Sequence, residues 1–167
     1  MAKFRTLSYA QPFTDKYGVS QPFGTADPQY TRGYHPGTDI PMPVGSQVPA
    51  EYGGTVIGSD PAPAYGQNVV VRLADGNTAV YGHLSQITVK PGDIIKPGQP
   101  IGLSGSTGQS EGPHLHYEIR DQQGNPINPQ TYNEGETMKP PKNWTTETGS
   151  DNQTYWRGPK GELYNPL

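Results

Sequence analysis

The sequence predicts an all-β domain, and three observations carry the prediction. Short runs of Val, Ile, Leu and Tyr recur along the chain, the 22 Gly and 19 Pro fall between those runs, and no window sustains helical apolar periodicity. Gly and Pro this abundant approach the level at which disorder is the default. Placed as punctuation between apolar runs, they instead mark the turns of a many-stranded protein. The architecture expected is a compact antiparallel sheet core with groove-forming loops, an irregular N-terminal arm and a C-terminal tail.

Taken in order, residues 1–18 form the arm, residues 19–132 the folded domain and residues 133–167 a Pro- and aromatic-rich extension. Gln67 to Leu73 and Thr78 to Tyr81 read as strands joined by Ala74-Asp75-Gly76-Asn77, a hairpin turn. Ile87 to Val89 and Ile94-Ile95 flank a second turn, Lys90-Pro91-Gly92-Asp93, and Lys96-Pro97-Gly98-Gln99 repeats its chemistry. Past Lys142 the chain turns polar and then aromatic, and holds both Trp residues, Trp144 and Trp156. Such anchors imply a tail that docks, on its own domain or on the wall or another partner.

With 167 residues the chain can bury a real core. A net charge of -3 and no basic run argue against nucleic-acid binding. Zero Cys removes disulfides, thiolate metal ligands and a Cys nucleophile. No apolar run is long enough to insert in a membrane. The start, Met1 to Thr6, is not followed by the apolar core of an export signal.

Four His are an ordinary number, but their placement is not. His35-Pro36-Gly37-Thr38-Asp39 is an H-x-x-x-D, His83 ends a strand, and His114-Leu115-His116 is an H-x-H. In His114 to Arg120 the residues alternate, so Leu115, Tyr117 and Ile119 take one strand face while His114, His116, Glu118 and Arg120 take the other. Pro36 and Gly37 exclude a helical i,i+4 pair, but a tight turn can still bring His35 and Asp39 to one point. Together with one His of the H-x-H they would make a three-ligand zinc site with an open fourth position. The remaining two His could then handle protons and stabilise an oxyanion. Each motif alone is more often incidental.

The surrounding residues narrow the choice. Val19-Ser20-Gln21-Pro22-Phe23-Gly24, Gly33 to Ile40, Val48-Pro49-Ala50 and Gly53 to Val56 are followed by Tyr81-Gly82-His83-Leu84-Ser85 and Val89 to Asp93. Gly98 to Gly102, Gly105-Ser106-Thr107-Gly108, Gly112 to Glu118 and Asn125 to Pro129 complete an ordered series. This series resembles the lysostaphin-type (LytM-like) zinc endopeptidases of bacterial cell wall. The resemblance implies one zinc ion held by His35, Asp39 and His116, with His83 and His114 catalytic. It implies peptidoglycan as the substrate, cut at its peptide cross-links. Pro36 departs from the small or polar residue usual after the first ligand, and the Pro-rich loop Ser59 to Gly66 can shape the groove. Tyr34, Tyr65 and Tyr117 are candidate groove residues or packing residues.

Two rival readings remain at this stage. One is a non-catalytic zinc-holding or wall-binding module. The other is a biotinyl- or lipoyl-carrier type domain, suggested by Val89 to Gly102 but lacking a Lys in the usual motif. The missing export signal suggests a protein acting at the cell wall as a phage lysin or a virion component, with the tail as an attachment to the particle or a lid on the substrate side. The other reading is a signal trimmed away and replaced by Met1.

Overall fold

The structure is a computed structural model that describes residues 14, 16–132, 145–148, 154–157 and 163–164. Most of the N-terminal arm, Trp144 and the side chain of Trp156 lie outside the described residues, and with them the docking of the tail. The chain divides into two units, residues 1–132 and 133–167. In the second, β11 (Thr145–Thr148), β12 (Thr154–Arg157) and β13 (Leu163–Tyr164) form an antiparallel sheet. Arg157 bridges both carboxyl oxygens of Glu147 across β11 and β12, at 2.7 and 2.8 Å.

Among its described residues the first unit holds ten strands: β1 (Thr38–Ile40), β2 (Gln47–Pro49), β3 (Gly54–Gly58), β4 (Gln67–Arg72), β5 (Thr78–Leu84), β6 (Gln86–Ile87), β7 (Ile94–Ile95), β8 (Pro100–Leu103), β9 (Leu115–Arg120) and β10 (Pro126–Ile127). The larger sheet runs β1-β9-β5-β4-β3-β7, with β10 also paired to β9, and the smaller runs β2-β8-β6. Every pairing is antiparallel. No helix among the described residues is long and apolar enough to cross a membrane.

The Ala74 to Asn77 turn closes the β4–β5 hairpin as its residues dictate. Asp75 accepts from the Asn77 backbone and side chain at 2.9 and 2.7 Å, an Asx turn, and Gly76 takes φ +86. The Lys90 to Asp93 turn also forms, with Asp93 accepting from the Lys90 backbone and ammonium. It does not make a hairpin, because β6 pairs with β8 in the small sheet and β7 with β3 in the large one. One turn therefore carries the chain between sheets, and the core fills the space they share. Val48 and Ile101 of the small sheet join Val56, Val69, Val71, Tyr81, Leu115, Tyr117 and Ile119 of the large one in a single buried cluster. Burying each large aliphatic side chain there stabilises the fold by about 1.5–3 kcal/mol.

Strand β9 is the pivot. Its neighbours are β1 and β5, and from Leu115 to Ile119 all of its residues are buried. Leu115, Tyr117 and Ile119 belong to the core, while His116 and Glu118 face the other way. A strand buried on both faces, with one face polar, must satisfy that face inside the protein.

Candidate metal centre and cleft

Strand pairing builds the centre. Asp39 of β1 lies directly opposite His116 of β9, and Gly82 of β5 faces His116 from the other side. His35 precedes β1 in a turn whose backbone is tied to the 21–25 segment: its N–H donates to Thr25 O, and Gly24 N–H donates to its carbonyl. Gly37 makes the approach possible. A Cβ there would meet the Tyr117 carbonyl oxygen at 2.6 Å, the Glu118 side chain at 2.8 Å and the His116 ring at 3.0 Å. No other residue fits without displacing the strand that carries the ligands.

Three atoms converge at the resulting point. His35 Nε2 lies 3.1 Å from His116 Nδ1 and 3.2 Å from Asp39 Oδ1, and the last two are 2.7 Å apart. Hydrogen bonds elsewhere fix what each atom offers. His35 Nδ1–H donates to Pro22 O at 3.2 Å, and His116 Nε2–H donates to the Glu118 carboxylate at 2.8 Å. In the neutral rings, then, His35 Nε2 and His116 Nδ1 both present lone pairs, beside a carboxylate oxygen. Three acceptors facing one another require a cation between them. Ligands about 2.0–2.1 Å from a tetrahedral zinc ion sit roughly 3.3 Å apart, so this triangle fits zinc after a small expansion.

In the absence of metal a proton takes the cation's place. Burial disfavours the His116 imidazolium, but hydrogen bonds to Asp39 and Glu118 outweigh it and raise its pKa to about 9. Burial likewise opposes ionisation of Asp39, and the hydrogen bond from His116 together with the adjacent His35 ring reverses this, holding the carboxyl far below the usual range.

The other two histidines sit beside this point. The rings of His83 and His114 are 4.5 Å apart, His83 is 5.7 Å from His116, and His114 Nε2 is 3.6 Å from Asp39 Oδ2. His83 Nδ1–H donates to Thr107 O at 2.7 Å, and His114 Nδ1–H to Gly112 O at 2.8 Å, so both Nε2 atoms are free to exchange protons. Burial, ahead of all other influences, lowers the His83 pKa to about 4. His83 is also the one described non-Gly residue with positive φ, at +60, beside the register shift in the β4–β5 ladder. Such strain, with a bulge, collects at functional sites. The loop Ser59 to Gly66 holds it there, since Tyr65 O accepts from His83 N–H at 2.7 Å. Gly66, at φ +60, packs its α-carbon against Thr107 and Gly108 so closely that a Cβ would come within 2.3 Å of the Thr107 carbonyl carbon.

Asp39, His83, His114 and His116 line a cleft of about 780 Å³, while His35 is fully buried. Tyr34 and Tyr65 line the cleft, as do Tyr30 and Arg120. Tyr117, the third candidate groove residue, is 3% exposed and packs on Tyr81 in the core. Strand alternation turns it away from the cleft. The same alternation puts Glu118 and Arg120 on the His face, but nothing in their spacing discloses what they do. In the structure Glu118 is fully buried and accepts from His116, Tyr65 and Arg120.

Comparison with known proteins agrees with this geometry. A model of peptidase family M23 matches residues 33–129, more than half of the chain. The chain belongs to peptidase family M23. Members of this family are zinc metallopeptidases, which accounts for the three converging acceptors of His35, Asp39 and His116. The M23 domain is 44% identical over 94 residues to the peptidoglycan DD-endopeptidase ShyA of Vibrio cholerae, a match spanning 56% of this chain and 22% of ShyA. The chain thus spans about a fifth of that relative's length. Its fold superposes on the catalytic domain of the antimicrobial peptidase lysostaphin from Staphylococcus simulans with a TM-score of 0.66 and 30% identity, covering 71% of this chain and 93% of that domain. The catalytic domain of the prophage-encoded M23 protein EnpA from Enterococcus faecalis, solved as a point mutant, gives 0.61 and 38% identity, covering 68% and 89%.

Proposed function

We propose that this M23 domain is an endopeptidase that hydrolyses the peptide cross-links of bacterial peptidoglycan. The observation that carries the reading is a three-acceptor metal site on the floor of an open cleft, with two further imidazoles within proton-transfer reach. His35, Asp39 and His116 hold zinc in this reading. Zinc bound there would lower the pKa of a water towards neutrality and polarise a carbonyl oxygen.

The chain's own residues supply the rest. His83 is neutral at physiological pH, because burial depresses its pKa, and its Nε2 is an acceptor because Nδ1–H is committed to Thr107. It can therefore take the proton of an attacking water. His114, tied through Nδ1–H to Gly112, directs Nε2 at the same space and can steady the developing oxyanion or pass a proton to the leaving amine. A carrier domain has no use for such a set.

Similarity to a DD-endopeptidase supports a cross-link between D-amino acids as the bond cut. The setting proposed is the bacterial cell wall, reached by phage release or on a virion, and the likeness to a prophage-encoded M23 protein supports it. Purified sacculi with D-amino-acid or glycine cross-links test the whole reading. New termini in the cross-link peptides, lost with a zinc chelator and restored by zinc, are the expected result. Intact sacculi of every type, with zinc in the protein, would leave a wall-binding module instead.

A further inference from the structure

The M23 reading accounts for five polar residues around the cleft, and three others beside them are tied into one hydrogen-bonded group. Glu118, Tyr65 and Arg120 form a closed circuit behind His116. Tyr65 O–H donates to Glu118 Oε1 at 2.7 Å, Arg120 Nε–H donates to Oε2 at 2.6 Å, and Arg120 also donates to the Tyr65 oxygen at 2.7 Å. The guanidinium lies against the Tyr65 ring, 5.5 Å from its centroid. Glu118 Oε1 receives His116 Nε2–H as well. Its carboxylate is thus saturated with donors, and none of its surface reaches solvent.

We propose that Glu118 is the positioning residue that selects the metal-binding tautomer of His116, and that Arg120 enforces the choice. The inference rests on zinc occupying the His35–Asp39–His116 point. With a carboxylate at 118, the Nε2 side of His116 must carry the proton, so Nδ1 presents its lone pair to the metal. Arg120 locks the far oxygen, which keeps Glu118 from rotating into the metal site as a competing ligand. Tyr65, reaching in from the Pro-rich loop, makes this arrangement depend on the loop that also holds His83.

The circuit makes an unusual prediction for Glu118→Gln. The amide has one acceptor and one donor end, and Arg120 Nε–H demands the acceptor. The NH2 end then faces His116 Nε2 and forces that atom to accept, which moves the ring proton to Nδ1 and blocks the metal. Removing the demand should undo the effect, so Arg120→Met in the Glu118→Gln background frees the amide to turn back.

The test uses the full chain and zinc competition against a chromophoric chelator. Glu118→Gln is expected to weaken zinc binding by about 10- to 100-fold, in the range of lost outer-shell partners. The Glu118→Gln/Arg120→Met double variant is expected to regain most of that loss, which a purely structural defect would not. Wild-type affinity in the single variant, or a double variant as weak as the single, overturns the inference. Should the single variant fail to fold, ¹⁵N spectra of the metal-free wild-type chain at alkaline pH, where the His116 ring is neutral and sits between Asp39 and Glu118, still decide: a proton on Nε2 supports the inference, and one on Nδ1 refutes it. A wild-type chain that takes up no zinc would instead sink the metal reading beneath it.

Discussion

Two glutamates lie buried on opposite sides of β9, and they are held in opposite states. Glu118, on the cleft side, has no exposed surface and a pKa below the usual carboxylate value. Burial opposes ionisation there, but the donors of His116 and Arg120 overcome it. Glu51, among Tyr81, Tyr117 and Tyr52 on the core side, is 2% exposed, and burial pushes its pKa up to about 8. The nearby hydroxyls of Tyr117 and Tyr52 only partly offset this, and neither Glu51 Oε1 nor the Tyr117 hydroxyl has a hydrogen-bond partner. Nearly equal burial therefore gives a charged group in one place and a neutral one in the other. Partners decide the state: the cleft side is built to hold charge, and the core side is built to exclude it.

Breaking the cleft side should have the largest effect. Asp39→Ala removes the ligand opposite His116, and both zinc content and sacculus hydrolysis are expected to fall to background, as metal analysis and turbidity assays would record. His114→Ala spares the ligands, so zinc should stay while hydrolysis falls by about 10²- to 10⁴-fold, the range for a general acid–base group. On the core side, Glu51→Gln should stabilise the protein at alkaline pH. The unfolded chain ionises this group near the usual value of 4.5 and the folded one only near 8, so wild-type stability falls as pH rises between these values. The full difference is on the order of 4 kcal/mol. Melting curves should coincide for the two chains only below about pH 4 and separate by roughly 10–20 degrees near pH 9. The smallest effect belongs to Tyr65→Phe. It removes one hydroxyl between Glu118 and Arg120 and should cost about 1 kcal/mol of stability, with a modest loss of zinc affinity. Unchanged zinc affinity in that variant would show that Arg120 alone suffices to hold Glu118.

How far the sequence discloses this contrast depends on how local each feature is. Alternation along His114 to Arg120 puts the imidazoles, Glu118 and Arg120 on one face and Leu115, Tyr117 and Ile119 on the other, because strand geometry is local. The Ala74 to Asn77 hairpin is legible for the same reason. The Lys90 to Asp93 turn is legible as a turn, yet its neighbours join different sheets, a matter of long-range pairing. Glu51 sits in Ala50-Glu51-Tyr52-Gly53, where no local pattern marks it as buried, and only tertiary packing buries it. The Tyr65–Glu118 bond spans 53 residues, and the left-handed backbone of His83 is imposed by Tyr65 O and the bulge. Neither leaves a mark in composition or spacing.

The most direct test is calorimetric titration of the metal-free chain with zinc near neutral pH, repeated in buffers of different ionisation enthalpy. If His35, Asp39 and His116 form the site, about one zinc ion binds per chain and about one proton is released, because His116, with its pKa raised to about 9, must shed the proton on Nδ1. His116→Ala should abolish both signals. No zinc uptake by the wild-type chain, or equal uptake by His116→Ala, would contradict the account.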